Sequence, residues 1–150
     1  MSYSLDTIDE ELAVKTQTKA SSGVQAKGKK KILVVEDDLS VSKFLGVRLR
    51  SLGFEVFVAY DGEEGLKEAK LRRPDLVILD LRLPRMTGEE VCKAIRADYD
   101  KKFAATPILM LSAKNSDVDR VMGMVLGADS YLANPFKIEN LLKELKKFNL

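Results

Sequence analysis

The chain has no histidine, a single cysteine and no long apolar run, and each absence removes a class of function. Without histidine it lacks the commonest metal ligand, general base and phosphohistidine carrier, so any histidine in its chemistry must come from a partner. Cys92 alone excludes an internal disulfide and fits a reducing compartment. No stretch approaches membrane-spanning length and the N-terminus has no apolar signal region; neither secretion nor membrane insertion is expected, and the chain reads as cytoplasmic. Charge of one sign is also scarce. With 25 basic against 23 acidic residues the formal charge is +2, and apart from a basic knot at Lys27 to Lys31 the cations are scattered, so nucleic acid is not an expected partner. What is present, 150 residues of which 45% are hydrophobic, suffices for one domain with a sizeable core and leaves no room for a second.

Residues 1–28 differ from the rest. Leu5, Ile8 and Leu12 at helical spacing give way to Thr, Ser, Gly and Lys, a stripe too small to hold a helix unaided, so this part reads as a tail and linker. From residue 29 onward short apolar runs alternate with helical periodicity. The runs predict strands at 31–35, 54–59, 75–79, 107–111 and 129–133. A first helix from about Ser40 carries Val41, Phe44, Leu45, Leu49 and Leu52 and stops at Gly53, which suits a left-handed cap. Asp61 with Glu64, and Thr87 with Glu90, read as capping boxes opening the next two helices. The last helix places Ile138, Leu141, Leu142, Leu145 and Phe148 on one face. Nothing after it resembles an output domain, which predicts a stand-alone module. Five βα units with right-handed crossovers make an α/β, doubly wound (βα)5 three-layer sandwich, for which the flavodoxin-like sheet order 2-1-3-4-5 is one of two common solutions.

The chemistry concentrates at two strand ends. Ile32-Leu33-Val34-Val35 runs into Glu36-Asp37-Asp38, and Leu76-Val77-Ile78-Leu79 ends in Asp80. Unbroken β-branched runs suit a parallel sheet buried on both faces, and such sheets bind ligands beyond the carboxyl ends of their strands. Neighbouring strands would bring these carboxylates into one crevice, where mutual repulsion shifts their pKa values unless a cation sits among them. A hard divalent cation, Mg²⁺ before others, is the implied cofactor. Taken alone, the triplet 36–38 also fits a solvated acidic loop; Asp80 after a buried strand favours the site.

Lys31-Ile-Leu-Val-Val-Glu-Asp-Asp and Pro74-Asp-Leu-Val-Ile-Leu-Asp-Leu-Arg-Leu-Pro resemble a bacterial response-regulator receiver domain of the CheY-like kind. The resemblance continues through Met86-Thr-Gly, Pro107-Ile-Leu-Met-Leu-Ser-Ala, Gly127-Ala-Asp-Ser-Tyr and Asn134-Pro-Phe and covers residues 29–150. It implies the order 2-1-3-4-5, and Asp80 as acceptor of a phosphoryl group from a phosphohistidine on a sensor histidine kinase or phosphotransfer protein. Asp37, Asp80 and the backbone carbonyl of Arg82 are then the Mg²⁺ ligands, with Glu36 acting through water and Asp38 flanking. Ser112 is the implied hydroxyl donor to the phosphoryl group, and Tyr131 the switch aromatic coupled to it. The module is thus a phosphoacceptor signalling domain and not a turnover enzyme, speaking to an unidentified protein partner through the face formed by the fourth helix, fifth strand and fifth helix. There Gly123 weakens a helix by about 1 kcal/mol relative to alanine, and Met124 is a candidate contact. A cis Asn134-Pro135 peptide is also implied.

The chain departs from the family at Asn134, where receivers carry lysine. A neutral amide replaces a charge-assisted bond, a difference of about 1 kcal/mol or more. Two readings follow: a receiver in which Arg82 or Lys114 replaces the cation, or a pseudo-receiver that binds partners without productive phosphorylation. A flavin or nucleotide enzyme on the same fold is disfavoured, because the loop after the first strand is acidic instead of rich in glycine or hydroxyls.

Overall fold

The computed structural model describes residues 28–112 and 126–150. In chain order the elements are β1 (Lys31–Val35), α1 (Leu39–Ser51), β2 (Glu55–Ala59), α2 (Gly62–Arg72), β3 (Leu76–Asp80), α3 (Gly88–Arg96), a short α4 (Lys101–Ala104), β4 (Ile108–Ser112), β5 (Ser130–Ala133) and α5 (Ile138–Lys147). The strands form one sheet in the order β2-β1-β3-β4-β5, every pair parallel. This is the expected doubly wound order. Residues 1–27 lie outside the described residues, as do Lys114, Gly123 and Met124 with the helix expected around them.

Alternation along the strands explains why their sequences carry no polar alternation. Leu33, Val35, Val77, Leu79, Ile108 and Met110 pack on one face against Ala69 of α2 and Val91, Cys92 and Ile95 of α3. Ile32, Val34, Leu76, Ile78, Leu109 and Leu111 pack on the other against Leu45 and Leu49 of α1 and Leu141 and Leu145 of α5. Both faces are buried, and each such side chain contributes roughly 1.5–3 kcal/mol.

Local signals place the helix ends. α1 closes in a Schellman motif: Phe54 donates to the Leu49 carbonyl (3.2 Å), Gly53 to that of Arg50 (3.0 Å), and Gly53 takes φ +99°. Thr87 and Glu90 form the complete capping box. Asp61 and Glu64 do not: Asp61 caps the Glu64 amide (2.8 Å), but the Glu64 carboxylate reaches one residue further back, to the amide of Tyr60 (2.9 Å). Two strands also run one residue past their apolar runs. Asp80 pairs with Leu111 and Ser112 with Ala133, because a polar side chain does not interrupt backbone pairing. Neither was α4 legible, having only Phe103 as a buried anchor beneath its Asp100 cap.

At the amino-terminal edge of the sheet Arg96 holds several segments together. Its guanidinium donates to the carbonyls of Ala104, Thr106 and Gly127 and to the Asp129 carboxylate, each at 2.8 Å. The same Asp129 oxygen accepts from the Ile108 amide at 2.8 Å, so one side chain fixes α3, the entry to β4 and the entry to β5.

Candidate functional site

The pocket lies at the opposite edge, where β1 and β3 end side by side. Glu36 follows β1 directly and its amide donates to the Ala59 carbonyl (3.0 Å), which turns its side chain inward; the residue is only 3% exposed. Asp37 is exposed, and Asp80 closes β3 half-buried. Carboxylate oxygens of Glu36, Asp37 and Asp80 all lie within 4.8 Å of one another. Asp38 has a different task. Its Oδ1 accepts from the amides of Ser40 (2.9 Å) and Val41 (3.2 Å), capping α1, while its own amide donates to Glu36 Oε2 (3.0 Å). The third carboxylate of the triplet therefore starts a helix and orients Glu36, instead of joining the cluster.

Electrostatics follow from that crowding. Burial first, then a hydrogen bond to Asp80 and the charges of Asp80 and Asp37, push the Glu36 carboxyl up to about 8 against the bond from the Asp38 amide. Burial also raises Asp80, though the Glu36 bond and the Arg82 amide on Oδ1 (3.2 Å) oppose it. The bond between the two carboxyls raises Glu36 and lowers Asp80, so it favours Glu36 as the donor. A pocket that takes up a proton to relieve like charge, with only oxygen donors in reach, fits a hard divalent cation such as Mg²⁺.

The chain after Asp80 is braced by close backbone approaches. A Cβ on Gly88 would stand 2.1 Å from the Asp80 carbonyl oxygen, so only glycine lets the start of α3 seat there, with its amide on the Leu81 carbonyl (3.0 Å). In the sequence Gly88 stands only as the last residue of Met86-Thr-Gly, and its one signal is a glycine directly after a capping threonine. On the far side of the loop, Arg85 holds φ +69° and pairs with Asp61 (3.6 Å) and Glu63 (3.9 Å). A cavity of about 540 Å³ opens beside the pocket, lined among others by Asp37, Arg82, Leu83, Thr87 and Glu89.

The remaining expected residues gather on the adjacent strands. Ser112 ends β4 only 1% exposed, and its carbonyl accepts from the Asn134 amide, so the two positions meet through the backbone. The Asn134-Pro135 peptide is cis. Tyr131 of β5 is half-buried against the cluster beneath α2 and α3. The side chains of Asn134 and Arg82 make no hydrogen bond, to Asp80 or to another group, among the described residues.

Comparison with known proteins agrees with this geometry. Residues 32–146 match the model of the response regulator receiver domain. The alkaline phosphatase synthesis transcriptional regulatory protein PhoP of Bacillus subtilis is 47% identical over 107 residues, 71% of this chain and 43% of that protein. The DNA-binding response regulator MtrA of Mycobacterium tuberculosis is 43% identical over 118 residues, 79% of this chain and 50% of that one. The chain thus spans about half the length of these curated relatives. Among solved structures, the chemotaxis response regulator CheY4 of Vibrio cholerae superposes with a TM-score of 0.74 at 38% identity, covering 80% of this chain and 98% of CheY4. Among the described residues no helix is long and apolar enough to cross a membrane. With its parallel sheet, its acidic pocket at the ends of β1 and β3, and these matches, the chain belongs to the response regulator receiver domain family and is a signalling domain of a two-component system.

Proposed function

We propose that residues 29–150 form a cytoplasmic phosphoacceptor module in which Asp80 receives a phosphoryl group from a phosphohistidine on a sensor kinase or phosphotransfer protein. The observation that carries this reading is the convergence of Glu36, Asp37 and Asp80 within 4.8 Å at the carboxyl edge of the sheet. In the transfer an Asp80 oxygen forms the new O–P bond while the donor's P–N bond breaks; the electron pair stays on the imidazole, which takes a proton from solvent. Asp37, Asp80 and the Arg82 carbonyl would hold Mg²⁺, with Glu36 linked through water. The bound ion would neutralise charge on the phosphoryl oxygens. Ser112, buried at the end of β4, is the hydroxyl donor to the transferred group, and Tyr131 the aromatic whose packing reports it to a protein partner.

Asn134 leaves this pocket without a fixed cation of its own, since roughly three carboxylate charges face two on Mg²⁺. Arg82 supplies it. Its amide is tied to Asp80, and it and Arg48 are the described arginines whose side chains have no partner among the described residues; Arg50, Arg72, Arg73, Arg85 and Arg96 are all engaged. A fork of donors on a residue so anchored suits phosphate. Arg82→Ala is expected to slow phosphorylation about tenfold, the loss of one charge-assisted bond; an unchanged rate and lifetime would remove Arg82 from the mechanism.

The decisive experiment is the intact mass of the protein after acetyl phosphate treatment, with and without Mg²⁺, for wild type and Asp80→Ala. Wild type should gain one phosphoryl group in a Mg²⁺-dependent manner and the variant none. A second reading, a constitutive interaction module, is favoured by the neutral amide of Asn134. It prevails if wild type stays silent and Asn134→Lys alone becomes phosphorylated.

A further inference from the structure

The edge of the sheet opposite the acidic pocket carries its own surface, assembled from three chain segments. Lys31 joins the first to the second: its Nζ donates to the Arg72 carbonyl (3.0 Å) and its amide to the Asp75 carboxylate (2.8 Å). Arg73 joins the second to the third, pairing with Asp100 at 2.9 Å and lying over the Phe103 ring at 5.0 Å. Between them is a cavity of about 540 Å³ whose rim includes Arg73, Asp75, Lys102 and Thr106.

Most carboxylates at this edge are hydrogen-bonded, and two of them are paired with arginines, while Asp75 and Asp98 accept only from backbone amides and keep their charge. Asp75 holds the Lys31 amide, Asp98 the Asp100 amide, Asp100 pairs with Arg73, and Glu68 with Arg72. Glu55, at the start of β2, is the exception. Lys29, Lys30 and Lys101 are exposed, and neither they nor Lys102 have an acidic partner among the described residues. Two large apolar side chains are exposed on the segments that form this edge: Leu71, 65% exposed, in the last turn of α2, and Tyr99, 94% exposed, ahead of α4.

We propose that this basic, apolar-tipped edge docks on an anionic lipid surface. Charge complementarity supplies the long-range attraction, and the exposed leucine and tyrosine select the occupant. A leucine gains most where it leaves water altogether, as it does on entering the acyl boundary, and a tyrosine sits at headgroup depth with its hydroxyl wet, whereas the phosphate backbone of a nucleic acid offers no apolar phase. Lysines near such a surface each strengthen binding about fivefold. The five residues of β1, about 17 Å of strand, separate this edge from the acidic pocket, so a docked molecule keeps Asp80 open to its phosphodonor.

The test is cosedimentation of the full chain with vesicles of phosphatidylcholine alone and of phosphatidylcholine mixed with phosphatidylglycerol. Binding is expected only to the mixture and should fall as salt rises. Lys101→Ala with Lys102→Ala should weaken it about twenty-five-fold, and Leu71→Gln with Tyr99→Gln should weaken it at unchanged melting temperature. Lys43→Ala, an exposed lysine of α1, should leave it as in wild type. The proposal is overturned by absent binding, by equal binding to neutral vesicles, or by indifference to both double substitutions. It is equally overturned if a DNA duplex binds and vesicles do not, which would assign the edge to nucleic acid.

Discussion

Glu36→Gln tests the electrostatics of the pocket with little change of shape. Glutamine reproduces the protonated glutamic acid: its amide N–H donates to Asp80 and its oxygen accepts from the Asp38 amide, as Glu36 Oε2 does at 3.0 Å. Burial raises the folded-state carboxyl from 4.5 to about 8, so between those values folding takes up a proton that the unfolded chain has lost. A group raised on folding stabilises most below its unfolded value, and that stability is lost as pH rises through the folded one. The slope is about 1.4 kcal/mol per pH unit, so the metal-free wild type should be about 3 kcal/mol less stable at pH 7 than at 4.5 through this group alone. Glutamine does not titrate. The two proteins should have similar stability near pH 5 and diverge above it, the variant becoming the more stable. Urea unfolding across this range, in chelator, measures the difference. Added Mg²⁺ should then narrow this gap, since an ion at a hundred times its dissociation constant adds about 2.7 kcal/mol to wild type and less to a site that has lost a carboxylate. Parallel stability curves for the two proteins, without divergence above pH 6, would refute the buried-proton account.

Asp37→Ala should abolish the rise in melting temperature that Mg²⁺ produces while costing little stability without metal. Asp38→Ala should do the opposite, losing about 1 kcal/mol of helix capping and keeping the response to Mg²⁺; the reverse pattern would reject the division of roles within the acidic triplet. Arg96→Ala, which removes four guanidinium bonds at the amino-terminal edge, should cost about 3 kcal/mol in urea unfolding with an unchanged slope. A loss below about 1 kcal/mol would mean that water replaces those bonds.

The centre of the sheet was legible because β1, β3 and β4 are buried on both faces, so each reads as a nearly uninterrupted apolar run that ends where the chemistry begins. Glu36, Asp37 and Asp80 were legible for the same reason: a charge next to such a run has nowhere to be except the strand end. What sequence concealed depends on coincidence in space. Asp38 looks like its acidic neighbours, and only the direction of its carboxylate, toward the Ser40 and Val41 amides, makes it a cap. Gly88 is silent until the Asp80 carbonyl is seen where its Cβ would be. Arg96 reads as one more cation in a helical last turn, yet its partners lie between 8 and 33 residues away along the chain. The second helix start shows the same limit at short range, since spacing alone does not reveal which amide Glu64 will choose.

A net charge of +2 conceals an asymmetry that the fold imposes. In a doubly wound sheet the helices run antiparallel to the strands, so helix N-termini gather at the carboxyl edge and helix C-termini at the amino edge. Favourable helix ends are acidic at the first turn and basic at the last. Here Glu63, Glu64, Glu89, Glu90 and Glu139 occupy first turns, while Arg48, Arg50, Lys70, Arg72, Lys93, Arg96, Lys146 and Lys147 occupy last ones. Stabilising each helix separately therefore makes one edge of the molecule negative and the other positive. The negative edge is where Glu36 and Asp80 must find a counter-charge, and in the absence of a bound ion both carboxyls are pushed upward, which favours a proton on Glu36. A metal ion entering the pocket must displace that proton, which couples metal affinity to pH and makes ion binding weaken as the solution becomes more acidic.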